Sequence, residues 1–230
     1  EPASPYTFTE RIDRYGWTQS ADKKWHYTVF VENGRVLDGE GIDFKTCLLK
    51  IAELGKCNFR FTANPNVIHT DISSKDKAAI EVLLNEYGII EHTDKAGALR
   101  KNAIACVAFN TCPLALAEGQ RYLPTLISKL EPILEKHSMQ HDNIVLRMTG
   151  CPNGCGRSPN AEIGFVGTAY GKYNLHIGGD RLGERLNTKF KDSLNEEQIL
   201  TTLDELFGVY TKEKKENETF GDFSHRKWIL

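Results

Sequence analysis

The sequence predicts an α+β chain: an antiparallel half-domain over residues 1–94, then a mixed α/β domain over residues 95–230. Three observations lead there. Residues 15–90 alternate paired strand-like runs with single helix-like runs, in the order ββα, ββα. The texture changes after Asp94, where residues 95–102 are small, basic and aperiodic. Further on, an apolar run over 144–148 feeds the loop Thr149-Gly150-Cys151-Pro152-Asn153-Gly154-Cys155-Gly156-Arg157, which is too rich in Gly and Pro to be helix or strand.

The elements follow in order. Trp25-His26-Tyr27-Thr28-Val29-Phe30-Val31 is β-branched and aromatic and ends at Asn33-Gly34. Asn-Gly is a strong hairpin signal, so Arg35-Val36-Leu37 is expected to return as the partner strand. Asp43 is placed to cap a helix over 44–54 that Gly55 stops. Strands are expected at 59–62 and 67–69 around the turn Ala63-Asn64-Pro65-Asn66, then a second helix over 74–87 stopped by Gly88. Helices on one face of an antiparallel sheet make this a ferredoxin-like unit.

In the second part, Pro113 suits the first turn of a helix following Cys112. Gly119, Pro124 and Pro132 are expected to break the stretch to His137 into two or three segments. Strands at 144–148, 163–166 and 174–177, and an amphipathic helix over 196–211, complete the domain. Residues 212–218 are charged and expected in solvent.

Composition excludes several classes. The net charge of -2 and pI near 6.4 favour neither nucleic acid nor an anionic membrane surface. No apolar run approaches the ~20 residues that span a bilayer, and no signal-peptide pattern opens the chain. The start at Glu1-Pro2-Ala3, without Met, fits a stretch excised from something longer or a processed leader. Six cysteines are too sparse for a disulfide scaffold. Phe44, Cys47, Leu48, Ile51 and Ala52 share helical spacing, and Cys57, Phe59 and Phe61 alternate along a strand. Cys47 and Cys57 are therefore expected as reduced core thiols, which implies a reducing, cytoplasmic setting.

The other four form two pairs, Cys106-x5-Cys112 and Cys151-x3-Cys155. Thiolate quartets bind zinc or an iron–sulfur cube. Zinc quartets usually pair as C-x2-4-C, and the wider x5 spacing favours a [4Fe-4S] cluster on Cys106, Cys112, Cys151 and Cys155. Zinc is the alternative. His137 and His141 have i, i+4 spacing without an HExxH pattern and read as surface residues, and His176 as a structural histidine. No GxSxG, P-loop or Rossmann fingerprint is present, so electrons are expected from another protein.

The two pairs resemble those of the sulfite reductase hemoproteins, within the siroheme/[4Fe-4S] sulfite and nitrite reductase family. There C-x5-C is followed about forty residues later by C-x3-C in a TGCPNGC loop; here Cys151 follows Cys112 by 39 positions. Flanking stretches match too: Ala105-Cys106-Val107-Ala108-Phe109-Asn110-Thr111-Cys112-Pro113-Leu114-Ala115, Tyr173-Asn174-Leu175-His176-Ile177-Gly178-Gly179, Val31-Glu32-Asn33-Gly34-Arg35 and Phe220-Gly221-Asp222-Phe223. The similarity runs from about Tyr6 to Phe223 but matches only the C-terminal half of the family's hemoprotein.

The resemblance implies a [4Fe-4S] cluster and a siroheme, and an oxidoreductase that reduces sulfite to sulfide by six electrons. Cys155 takes the position of the cysteine whose sulfur bridges cluster and siroheme iron, and so is the candidate catalytic residue. Asn153 is a candidate for tuning the cluster, through its amide and the loop N–H groups. Arg157 is a candidate partner for siroheme's eight carboxylates, and Arg60, Thr62, Asn64 and Asn66 form a polar edge suited to the porphyrin rim. The implied partners are a flavoprotein reductase subunit as electron donor, the N-terminal half of the hemoprotein and sulfite. The chain alone is expected to be inactive and prone to self-association through surface left uncovered. Two other functions compete: a siroheme nitrite reductase, and a non-catalytic iron–sulfur or zinc module.

Overall fold

The strand at Trp25 finds other partners than its Asn-Gly turn promises. In a computed structural model, which describes residues 5, 7, 9–39 and 41–230, β1 (Gly16–Gln19) and β2 (Trp25–Val29) pair antiparallel. β2 then pairs on its other side with β6 (Val67–Ile72), and β6 with β5 (Asn58–Phe61). The sheet order is β1-β2-β6-β5. The expected return strand at residues 35–37 does not form. Asn33 and Gly34 adopt left-handed φ of 52° and 70°, but within a 3-10 turn, Glu32–Gly34. The edge that such a hairpin would occupy belongs to β1, and Val31 N–H donates instead to Asn66 Oδ1 at 2.9 Å.

A two-residue pair, β3 (Asp38–Gly39) and β4 (Ile42–Asp43), leads into α1 (Phe44–Leu54). Gly55 stops α1 with φ 61°, as expected of a C-terminal glycine. Asp43 does not cap it by its side chain. Asp38 supplies the acceptor: Thr46 donates its N–H at 3.0 Å and its hydroxyl at 2.9 Å to the two carboxylate oxygens. α2 (Lys77–Glu86) and α3 (Ile89–Lys95) follow on either side of Gly88, whose φ is 73°. Sheet and helices share a core that includes Tyr27, Val29, Cys47, Ile51, Ile72, Ile80 and Leu84. Each fully buried Ile or Leu there contributes about 1.5–3 kcal/mol. Cys47 is buried and Cys57 half-buried, both as free thiols. Phe61 departs from its expected core position: β5 lies at the sheet edge, and Phe61 is 84% exposed.

These elements make up one unit, Ile12–Ala96; the other joins the N-terminal segment up to Arg11 with Gly97–Leu230. In the second unit α4 (Ala98–Lys101) leads into β7 (Ala103–Ala105), a strand the sequence pattern did not reveal. No helix follows Cys112; residues 113–122 are turns and loop. The expected interruptions at Pro124 and Pro132 are also absent. α5 (Leu123–Lys136) is continuous, with Pro124 in its first turn and Pro132 inside. The first turn has no use for the missing proline N–H, and the apolar face of Leu123, Leu126, Ile127, Leu130 and Leu134 holds the helix on the core.

β8 (Leu146–Thr149), β9 (Ile163–Ala169), β10 (Lys172–Ile177) and β11 (Thr188–Leu194) complete a mixed sheet of order β11-β10-β9-β8-β7. β7, β8 and β9 run parallel to one another, while β10 pairs antiparallel with both β9 and β11. α6 (Glu196–Glu213) starts at a reciprocal cap, with Asn195 accepting from Gln198 N–H while the Gln198 side chain accepts from Asn195 N–H. It carries the helix two residues past the predicted end. α7 (Phe220–Ser224) and a π-helical turn, His225–Ile229, follow. Glu218, expected in solvent, is ion-paired with Arg226 at 2.7 Å.

Candidate metal centre

Two adjacent parallel strands deliver the four cysteines. β7 ends at Ala105 and β8 at Thr149, with Ala105 opposite Met148 in the register. The chain therefore leaves both strands at their C-terminal ends, side by side, the place where α/β sheets present functional loops. Cys106 N–H donates to Met148 O at 3.1 Å, so the first cysteine still belongs to the ladder. Beyond it the loops interlock. Gly150 N–H donates to Cys106 Sγ at 3.2 Å, and Gly150 O accepts from Leu116 and Ala117 N–H at 2.8 and 3.0 Å. Cys112 N–H donates to Ala108 O at 2.8 Å, closing a turn over Ala108–Cys112.

Two glycines make this closeness sterically feasible. A Cβ on Gly150 would lie 2.7 Å from both Ala108 Cβ and Ala117 O, and one on Gly156 would lie 2.2 Å from Met148 O. Thr149 Oγ1 donates to Cys151 O at 2.7 Å, and Arg157 N–H to Gly154 O at 2.7 Å. Arg157 itself has φ 56° and begins the 3-10 turn Ser158–Asn160.

The four sulfurs differ in access. Cys151 is buried, Cys106 and Cys112 are half-buried and Cys155 is exposed; all four are free thiols. Among the described residues no three Cys, His, Asp or Glu side chains gather as a single metal ion requires. A cube asks something different of its ligands, one thiolate for each of four irons. Four free thiols on two interlocked loops, a backbone N–H already on one sulfur and glycine where a Cβ would intrude all fit that group.

Comparison with known proteins shows the family. No family model matches the chain. Over all 230 residues it is 54% identical to the sulfite reductase [NADPH] hemoprotein beta-component of Leptospira biflexa, covering 41% of that protein. It is 50% identical over the same span to the protein of that name from Salmonella newport, covering 40%. The chain belongs to the sulfite reductase hemoprotein family. It corresponds to the C-terminal half of that family's hemoprotein and spans about two-fifths of the length of these relatives. In fold it is similar to the structure of the Mycobacterium tuberculosis NirA protein, with TM-score 0.77 and 23% identity over 97% of this chain and 42% of the other.

The remaining predicted site residues fall in both units. Asn153 and Arg157 are exposed on the Cys151–Cys155 loop. Arg60 and Asn64 belong to the other unit. Arg60 Nη2 lies 3.8 Å from Asp71 Oδ2 with its side chain 67% exposed. The polar edge there has a local organiser: Thr62 Oγ1, Asn64 Nδ2 and Asn66 Nδ2 all donate to Asp13, at 2.6, 3.4 and 2.8 Å. His137 Nε2 pairs with Asp204 at 2.6 Å and His141 is exposed, so no metal pair forms from them. His176 is half-buried, and burial with Lys189 nearby lowers its pKa. Sequence reasoning missed Arg147, buried on β8 four residues before Cys151. Its signal was an arginine alternating with the core residues Leu146 and Met148.

No helix among the described residues is long and apolar enough to cross a membrane.

Proposed function

We propose that the chain is the C-terminal portion of an assimilatory sulfite reductase hemoprotein, which reduces sulfite to sulfide with six electrons and six protons, releasing three waters. The observation that carries this reading is the hydrogen bond from Gly150 N–H to Cys106 Sγ. It joins the two cysteine loops where neighbouring parallel strands release them, in a chain 54% identical to a protein of that name.

In this reading Cys106, Cys112, Cys151 and Cys155 would hold a [4Fe-4S] cluster, and Cys155 would also be the residue that holds siroheme. Siroheme there would supply the redox iron chemistry for sulfite and the cluster the electron supply. The chain's own residues grip and orient. Cys155 is the exposed thiol of the four, which suits a sulfur that a second iron centre must reach. The Gly150 N–H lowers electron density on Cys106, and the Asn153 amide with the loop N–H groups would do the same for the second pair. Arg157 would offer its guanidinium to siroheme carboxylates, and Arg60 and Asn64 are the further candidates for contacts to the porphyrin rim. The electron donor is a flavoprotein reductase subunit and the setting is the cytoplasm. The N-terminal half of the hemoprotein supplies the cationic residues that bind sulfite.

The test uses the full-length hemoprotein containing this chain. Metal and siroheme analysis, absorbance spectra and steady-state turnover with a reduced viologen donor are measured on one preparation. Four cluster irons, one siroheme and a higher kcat/KM for sulfite than for nitrite are expected. Zinc with a featureless visible spectrum defeats the reading, and a strong preference for nitrite reassigns the substrate.

A further inference from the structure

On β8 the side chains of Leu146 and Met148 enter the core, so Arg147 between them emerges on the opposite face, level with Ile104 on β7 and Gly164 on β9. An arginine there would ordinarily reach water. This one is 3% exposed, and among the described residues its Nε and Nη1 have no hydrogen-bond partner. An unpaired buried ion costs several kcal/mol, so a counterion is the missing part of the site.

The charges acting on Arg147 sharpen the need. Burial first, then Arg157 and Arg11, push its pKa down to about 9. A guanidinium keeps its proton in proteins, so that pressure is relieved by an anion and not by proton loss. Arg11 is held in place by donating from Nη1 to Leu182 O at 2.7 Å and from Nη2 to Asn160 O at 3.3 Å. Gly164, the register partner of Arg147 on β9, has Ser158 O and Asn187 Nδ2 where a Cβ would sit, each at 2.6 Å, so no side chain from β9 stands level with the guanidinium. The planar fork of Arg147 matches the two oxygens of a carboxylate.

Resting on the function proposed above, we infer that Arg147, flanked by Arg157 and Arg11, is a receptor for one peripheral carboxylate of siroheme. The strand that carries Arg147 runs directly into the Cys151 loop, and Arg157 stands two residues beyond Cys155, so the receptor and the proposed bridging sulfur share one scaffold. A carboxylate from elsewhere in the full polypeptide is the rival source of the same chemistry.

The experiment compares Arg147→Met and Arg147→Lys with wild type in the full-length hemoprotein, each prepared with and without siroheme. Siroheme per polypeptide, its rate of loss to a competing siroheme-binding protein, and the Tm of the siroheme-free form are read. We expect Arg147→Met to lose siroheme about tenfold faster or more, as for a lost charge-assisted pair, with the lysine variant between. The siroheme-free Tm should stay level or rise, because an unpaired buried charge has been removed. Unchanged siroheme loss in Arg147→Met overturns the inference. So does a lower siroheme-free Tm, the result if a protein carboxylate already pairs with Arg147. Should the methionine variant fail to fold, the lysine variant decides by its siroheme-loss rate. Wild type without any siroheme defeats the functional reading itself; siroheme in wild type with no effect of the substitutions defeats only the inference.

Discussion

Gly150 N–H points at Cys106 Sγ, 3.2 Å away, and so couples two cysteine loops that stand 44 residues apart in sequence. The contact depends on the absence of a side chain at Gly150. Gly150→Ala would set a methyl 2.7 Å from Ala108 Cβ and Ala117 O, and backbone on both sides has little freedom to retreat. We expect this variant of the full-length hemoprotein to lose cluster iron at least severalfold and to be destabilised by about 1–3 kcal/mol, the range for overpacking. Iron per polypeptide and the urea midpoint check it, and normal values for both would refute the account of the interlock.

The four cysteines should not be equivalent. Cys155→Ser replaces the exposed, soft sulfur by a hard, poorly ionised hydroxyl. In the intact hemoprotein, exchange coupling between cluster and siroheme, together with sulfite turnover, should collapse. Cys106→Ser should chiefly weaken the cluster, because that sulfur sits inside the interlock beneath the Gly150 amide. Electron paramagnetic resonance and Mössbauer spectra of the two variants separate these outcomes. Near-normal turnover with intact coupling in Cys155→Ser would remove Cys155 from the bridging role.

Glu162 anchors the C-terminal elements from inside. Its side chain is fully buried, accepting from Val145 N–H and Gly221 N–H at 2.9 Å each. Burial raises its pKa above the usual carboxylate value, while the two amides and Arg181 oppose that shift. Glu162→Ala would leave two buried N–H donors without acceptors, at about 1–3 kcal/mol each. We expect a stability loss of several kcal/mol in chemical denaturation, with earlier proteolysis around α7. Glu162→Gln, able to accept only one of the two bonds, should fall between. Equal stability of the glutamine variant and wild type would contradict the two-acceptor role.

His69 gives the unit Ile12–Ala96 a pH dependence of known sign. Its ring is fully buried on β6, edge-on to Phe59 at 4.9 Å, and burial pushes its pKa from 6.5 down to about 4. The unfolded chain takes up a proton below pH 6.5 while the folded one does not. The stability is therefore present above that pH and drains away as pH falls toward 4. Between pH 7 and pH 5 one such group accounts for about 2 kcal/mol. Urea unfolding of wild type at the two pH values should show that difference, and His69→Leu should lack it. An unchanged pH slope in His69→Leu would show that the proton uptake lies elsewhere.

Much of this protein was legible in local chemistry. Gly55 and Gly88 mark helix ends because left-handed φ is cheap there. Asn195 and Gln198 begin α6 through bonds made within four residues, and the spacing of the four cysteines, with their flanking residues, led to the family. What failed depended on partners distant in sequence. The Asn33-Gly34 turn formed without its hairpin because β1 and β6 claim both edges of β2. Asp38, not Asp43, caps α1 because the β3–β4 pair carries its carboxylate to Thr46. Pro132 sits inside α5 because a buried apolar face outweighs one lost hydrogen bond. The sequence by itself determined which residues are able to ligate and where helices stop, since those are properties of side chains and of neighbouring φ and ψ. Only the tertiary structure decided that the two cysteine loops interlock, and that Arg147 is buried without a hydrogen-bond partner among the described residues, because parallel strand pairing and desolvation are set by residues far away along the chain.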